Sequence, residues 1–248
     1  MNNKLLNIAL SGILIILFQS GCNQRIIRST TGIYHLQGAV VKNRDNDSIQ
    51  VSIVLNKNDT LADSANIMIG SDTLKFEGGL YRKSYNTTGA LAAGDRQIRI
   101  SDRDFSDSII FTIPSDLNIS SISLPESRIN PGGAAVPIEW TAASGSNGYS
   151  IGVAKNSLAY KSDGFCQFVA TGGNLISIPP DAFRLSGNLD TGWYKVFVYA
   201  YAGSPTDGQD LPTKFPSGLS DNISKLDISG SFGAIVVSKP DSIHVTLE

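Results

Sequence analysis

Apolar and polar residues alternate in short runs along most of the chain, a pattern typical of β-strands with one buried face. In the clearest run, Ile49-Gln50-Val51-Ser52-Ile53, every second side chain is apolar. Other strand-like runs in the first half are at residues 32–41, 66–69, 73–76, 80–85, 97–100 and 108–113. Turn residues such as Gly78-Gly79 separate them. Only residues 180–183 suggest a short helical turn, so the pattern predicts an all-β protein.

The N-terminus has the three parts of an export signal. Residues 1–4 are short and positively charged, residues 5–18 are almost wholly apolar, and small residues precede Cys22. The apolar run is shorter than the roughly 20 residues that a membrane-spanning helix needs, although such an anchor or a buried helix is the alternative. We therefore predict that residues 1–21 are a signal peptide.

Ser20-Gly21-Cys22 resembles the lipobox of exported lipoproteins of the Bacteroidota, with Gln19 where an aliphatic residue is usual. The resemblance implies that Cys22 carries several acyl chains, each buried methylene of which contributes about 0.8 kcal/mol to membrane attachment. It also implies a lipidated tether over residues 22–31. The expected location is the outer membrane, facing the periplasm or the cell surface, and the lack of acidic residues directly after Cys22 favours the periplasm.

The second half carries a more specific pattern. Val136, Ile138 and Trp140 alternate with polar or small residues, the run 149–153 follows, and Tyr194 opens the run 194–200. This order resembles a fibronectin type III or Ig-like domain. The resemblance implies that Trp140 packs between two sheets and that the Tyr194 hydroxyl ties down a corner.

The first half resembles Ig-like or transthyretin-like modules of exported bacterial proteins, through Gly79-Leu80-Tyr81 and Gly94-Asp95. The first run of strands ends at Ile113-Pro114, and a new pattern begins by Ala135. We therefore predict two Ig-like β-sandwich domains, residues 32–115 and residues 116–248, the second with inserts at 155–174 and 204–220.

Composition argues against several functions. With 20 basic and 22 acidic residues and no basic cluster, the chain is not expected to bind nucleic acid. His35 and His244 are the only histidines, and no phosphate loop or nucleophile motif is present. We therefore predict no enzyme activity, cofactor or metal, and keep an envelope hydrolase with a carboxylate pair as an alternative. Cys166 is the only other cysteine, and we expect a buried thiol rather than a reactive one.

Two acidic segments could hold calcium. Asp45-Asn46-Asp47, and Asp102-Arg103-Asp104 with Asp107, gather the oxygen ligands that hard cations prefer. Both lack the glycine and final glutamate of an EF-hand, and solvated turns explain them equally well.

Asp followed by Ser or Thr and then a small or apolar residue recurs along the chain. The motif resembles the O-glycosylation acceptor of the Bacteroidota. The candidate hydroxyls are those of Ser48, Thr60, Ser64, Thr73, Ser108 and Ser242. The alternative is a turn that starts a strand, in which Asp and Ser are common.

Trp193, Tyr199 and Tyr201 fall on one face of a single predicted strand. They could form a platform for a glycan, or they could pack under residues 204–220. The sequence therefore predicts a non-catalytic, membrane-anchored module for binding, adhesion or assembly, with a protein or glycan ligand. The alternative is a glycan-binding accessory lipoprotein of a polysaccharide uptake system.

Overall fold

The computed structural model describes residues 33–103, 105–123, 135–155, 164–169, 173–185, 188–206 and 211–246. The predicted signal peptide, Cys22 and the tether lie outside these residues, so lipidation of Cys22 stays a prediction. Residues Thr31–Glu248 cluster as one compact unit.

Strands dominate the described residues, which include two short 3-10 turns, at Thr88–Ala90 and Pro180–Phe183, and no α-helix. The first half contains β1 (Tyr34–Asn43), β2 (Ser48–Lys57), β3 (Thr60–Leu61), β4 (Asn66–Ile69), β5 (Asp72–Thr73), β6 (Lys75–Glu77), β7 (Leu80–Tyr85), β8 (Gly94–Asp102) and β9 (Phe105–Ile113). The second half contains β10 (Ile119–Ile122), β11 (Val136–Trp140), β12 (Gly148–Lys155), β13 (Phe165–Phe168), β14 (Leu175–Ile178), β15 (Arg184–Leu185), β16 (Asn188–Leu189), β17 (Gly192–Gly203), β18 (Ile223–Ser224), β19 (Ile228–Val237) and β20 (Asp241–Val245). The all-β class predicted from the sequence is confirmed.

One long sheet runs through both halves. Its strand order is β13-β12-β17-β19-β1-β2-β7-β6, with β3, β18 and β20 pairing at its sides. A four-stranded sheet, β5-β4-β8-β9, and a three-stranded sheet, β10-β11-β14, share a common apolar core with it. Each half is therefore a sandwich that uses part of the same long sheet.

The two halves join where β1 pairs in parallel with β19. Ten residue pairs form this seam, from Tyr34 opposite Ile228 to Asn43 opposite Val237. The boundary near residue 116 stays a prediction about the sequence. The structure adds that the halves are not separately packed, end-to-end domains, because β1 of the first half and β19 of the second are neighbours in one sheet.

Both strands of this seam are buried on both faces from Gly38 and Gly230 onward, whereas Gln37 near the start of β1 is exposed. In β1, Leu36 and Val40 point into the main core, while Ala39 and Val41 belong to a second apolar cluster on the opposite face. Unbroken apolar runs are expected for strands covered on both sides, and the last six residues of β1 are all buried. The seam therefore lies inside the protein.

The segment after β9 is fastened to the end of β1. Lys42 Nζ lies 2.8 Å from Asp116 Oδ1, and Arg44 Nε lies 3.5 Å from Asp116 Oδ2. Arg44 also donates a hydrogen bond to the backbone oxygen of Leu117. The Lys42 side chain is almost fully buried, so this ion pair is shielded from solvent more than a surface pair would be.

Trp140 anchors the core of the second half, as predicted. Its side chain is fully buried, and its ring meets that of Tyr149 edge to face at 5.3 Å. Val136 and Ile138 are buried with it, whereas Glu139 is exposed. The alternation that predicted this strand is confirmed residue by residue.

Gly230 should be indispensable to the seam. Its φ is +131°, and an added Cβ would collide with the backbone oxygen of Leu36. We expect Gly230→Ala to lower the free energy of unfolding by about 1–3 kcal/mol more than Gly218→Ala does. Gly218 is the matched control because its φ is +114° and nothing lies near its missing Cβ. Equal losses in urea melts would contradict the steric argument.

Candidate functional site

The outer face of β17 is mostly covered. Tyr199 is fully buried, and its hydroxyl is hydrogen-bonded to Thr213 Oγ1 at 2.8 Å. Tyr201 is half-buried, with ring centroids 5.5 Å from Phe168 and 5.7 Å from Phe215. The segment after β17 therefore lies over these two rings, which is the alternative that the sequence left open.

Trp193 is the one ring of the predicted ligand face that is open to solvent, with 55% of its surface exposed. The three-ring platform is thus corrected to a single tryptophan, because residues 211–219 cover the rest of that face. Trp193 lies opposite His244 in the pairing of β17 with β20, and their ring centroids are 4.8 Å apart at an angle of 30°. His244 is also exposed.

Polar groups surround this ring pair. Ser242 lies two residues from His244 on β20 and pairs with Lys195, two residues from Trp193 on β17. Because side chains two residues apart in a strand share a face, all four lie on one side of the sheet. Lys195 Nζ is 3.5 Å from Asp45 Oδ2. The Trp193 face thus combines an aromatic surface, an imidazole, a hydroxyl and an ammonium group.

A hydrogen-bonded corner holds the start of β17. The Tyr194 hydroxyl donates to Asp190 Oδ2 at 3.1 Å and lies 3.4 Å from the backbone oxygen of Phe183. Lys155 donates to the same Asp190 oxygen and holds the pKa of that carboxyl below its usual value. Burial raises the pKa of the Tyr194 hydroxyl. This corner, predicted from the resemblance, fixes the backbone immediately before and after Trp193.

The six candidate glycosylation hydroxyls lie in different settings. Thr60, Ser64, Thr73 and Ser242 are exposed, whereas Ser48 and Ser108 are half-buried. The residue that follows the hydroxyl is buried at Ile49, Ala65, Leu74, Ile109 and Ile243. Ser48, Thr60 and Ser242 lie at or next to the start of a strand, whereas Ser64 precedes β4, Thr73 ends β5 and Ser108 lies inside β9. Modification of these hydroxyls stays a prediction.

The acidic segments proposed for calcium serve other contacts. Asp102 Oδ2 accepts a hydrogen bond from Tyr34 at 2.7 Å and lies 3.6 Å from Lys57 Nζ. Asp47 Oδ1 accepts hydrogen bonds from the backbone and the side chain of Thr88, which lower the pKa of its carboxyl. Asp104 lies outside the described residues, among which no group of three or more potential metal ligands is found.

A cavity of about 210 Å³ is lined by Lys57, Asp63 and Asp102. Two carboxylates line it, but Asp102 is nearly buried and is held by Tyr34 and Lys57. Cys166 is half-buried rather than fully buried, and its Sγ lies 4.0 Å from Ser150 Oγ.

Comparison with known proteins finds only a weak overall similarity to some solved structures. No protein-family model matches the chain, and no curated protein matches it. The FN1–FN3 domains of chicken CNTN1 are similar at 9% identity, over 84% of this chain and 63% of that one, with a TM-score of 0.28. The BSP domain of a biofilm associated protein is similar at 14% identity, over 86% and 30%, with a TM-score of 0.23. Titin domains z1z2 in complex with telethonin are similar at 8% identity, over 88% and 95%, with a TM-score of 0.20.

These scores carry no argument about function, and the chain spans less than two thirds of the first two structures. Its own sheets, with buried Trp140 and the Tyr194 corner, form an all-β sandwich. None of its described helices could cross a membrane.

The two tryptophans should differ sharply in their effect on stability. Trp140→Ala removes a fully buried ring and should lower the free energy of unfolding by about 3–5 kcal/mol. Trp193→Ala removes an exposed ring and should cost less than about 1 kcal/mol. Urea melts followed by circular dichroism measure both. A larger loss for Trp193→Ala would show that the wrong strand face has been assigned to the core.

Proposed function

We propose that this protein is a non-catalytic lipoprotein of the cell envelope that binds a ligand or assembles with a partner. The observation that carries the binding role is the exposed Trp193–His244 pair, which lies beyond the segment that covers Tyr199. A large aromatic ring held in place by a rigid strand contributes strongly to binding, because few conformations are lost when a ligand contacts it.

The single compact unit supports this role. A seam of ten residue pairs fixes one half against the other, and Lys42 holds Asp116 in the segment that follows β9, so the Trp193 face lies on a rigid support. The export signal and Cys22 supply the setting. Lipid anchorage would hold the unit at a membrane by the tether that precedes β1.

Anchorage is tested by metabolic labelling with an alkyne fatty acid. We expect label on the wild-type protein and on Cys166→Ala, and none on Cys22→Ala, because the resemblance to a lipobox predicts acylation of Cys22. Cys166→Ala is the matched control, since it removes the only other thiol. Equal labelling of Cys22→Ala would contradict the anchor.

A second candidate function is glycan binding within a polysaccharide uptake system. It is supported by Trp193 alone, since Tyr199 and Tyr201 are covered. The flat ring can stack against a sugar face, while His244 and Ser242 offer hydrogen bonds beside it.

This candidate predicts that Trp193→Ala weakens binding of a neutral hexasaccharide at least about tenfold, as truncation of an aromatic anchor does. Calorimetric titration with cellohexaose, laminarihexaose and maltohexaose provides the measurement. Leu226→Ala is the control, because Leu226 is 88% exposed and lies in the connection between β18 and β19, not on β17. Equal binding by the wild type and Trp193→Ala would rule out this site as the glycan platform.

A further inference from the structure

A polar groove lies on the first half, on the outer face of β2, β7 and β6. Its volume is about 420 Å³, larger than that of the cavity at Asp102. The groove is lined by Gln50, Thr73, Lys75, Glu77, Arg82, Lys83 and Ser84. Polar side chains therefore dominate it, and three of them are cationic.

Two of these cations are placed directly opposite each other. Lys75 on β6 pairs with Arg82 on β7, in a register set by the two-residue turn Gly78-Gly79. Like charges at such a position destabilise a sheet. No described carboxylate lies within ion-pairing distance of either cation. Lys83, by contrast, has a carboxylate partner, with its Nζ 3.6 Å from Asp72 Oδ1.

One nitrogen of the Arg82 side chain also lacks a hydrogen-bond partner. Its Nε is buried and has no hydrogen-bond acceptor. Lysines on edge strands are often present only to prevent sheets from joining, and this explains Lys75 on β6, the last strand of the sheet. It does not explain Arg82, because β7 is an interior strand paired on both sides. A cation with a buried, unpaired donor that faces a second unneutralised cation is the arrangement that an oxyanion satisfies.

The other residues that line the groove limit which class of ligand it can bind. Ser84 donates its hydroxyl hydrogen bond to Gln50 Oε1 at 2.6 Å, which leaves the amide NH₂ of Gln50 as a donor. The hydroxyl of Thr73 is exposed beside it. Glu77 shares the groove and would repel a second anionic group, while its oxygens can accept hydrogen bonds from hydroxyls. A polyhydroxylated molecule that places one acidic group in the groove meets all of these conditions.

We propose that this groove binds the carboxylate of a uronic acid within an oligosaccharide, through Arg82 and Lys75. The inference deepens the proposed binding role and rests on it for its biological setting. The site itself is separate from the Trp193 face, since it lies on strands of the first half.

The test uses a hyaluronan tetrasaccharide, in which uronic acid alternates with a neutral sugar, and chitotetraose as the neutral counterpart. We expect the full chain to bind the hyaluronan tetrasaccharide in calorimetric titration at low salt and not to bind chitotetraose. Binding should weaken when the salt concentration is raised, since screening reduces the attraction between charges. Arg82→Gln and Lys75→Gln should each weaken it at least about tenfold, the change expected when one charge-assisted hydrogen bond is lost.

Arg99→Gln is the matched control, because Arg99 is exposed on β8 of the other sheet and its loss changes the net charge equally. It should bind as the wild type does. Because Arg82 and Lys75 repel each other, neither replacement should lower the thermal midpoint of the free protein. A lowered midpoint in both variants would assign the pair a structural role and overturn the proposal.

Equal binding of chitotetraose, wild-type affinity in Arg82→Gln, or binding only to sulfate or to phosphatidylglycerol vesicles would each overturn the proposal. Such a result alongside normal Cys22 labelling and Trp193-dependent binding would reject this site alone and leave the proposed function standing.

Discussion

The parallel pairing of β1 with β19 is the constraint on which the rest of the structure depends. It brings the first strand of one half beside a late strand of the other, so a single sheet serves two sandwiches. Parallel strands need a long connection between them, and here the connection is nearly the whole protein. Every element between residues 44 and 227 must therefore fold within limits set by this one seam.

Burial on both faces follows from the seam. Leu36 and Val40 fill the main core, so Ala39 and Val41 on the opposite face need a cover of their own, which Leu211 and Phe215 provide. That cover extends over Tyr199 and ends before Trp193. The exposure of Trp193 is thus a consequence of how far the cover reaches along β17. Arg82 and Lys75 lie at the far end of the same sheet, where a polar groove opens on the outer face.

The sequence pattern predicted those features of the fold that depend on one strand and its immediate neighbours. Alternation placed Trp140 in the core, and the Tyr194 corner followed from the resemblance, since both need only one strand and its neighbours. The Lys75–Arg82 pair depends on the register that Gly78-Gly79 sets between β6 and β7, and alternation along each strand does not show which residues lie opposite each other. The seam could not be predicted in the same way. No turn links β1 to β19, and the unbroken apolar run in β1 signals only that both of its faces are buried.

We expect both halves to unfold as one cooperative unit, because the pairing of β1 with β19 joins them. Native-state hydrogen exchange followed by mass spectrometry tests it most directly, because it reads the opening free energy of each strand separately. We expect amides in β2 and in β17 to exchange through a common opening, with the same free energy and the same dependence on denaturant. Exchange of β1 and β2 through an opening that leaves β12 and β17 protected would contradict it.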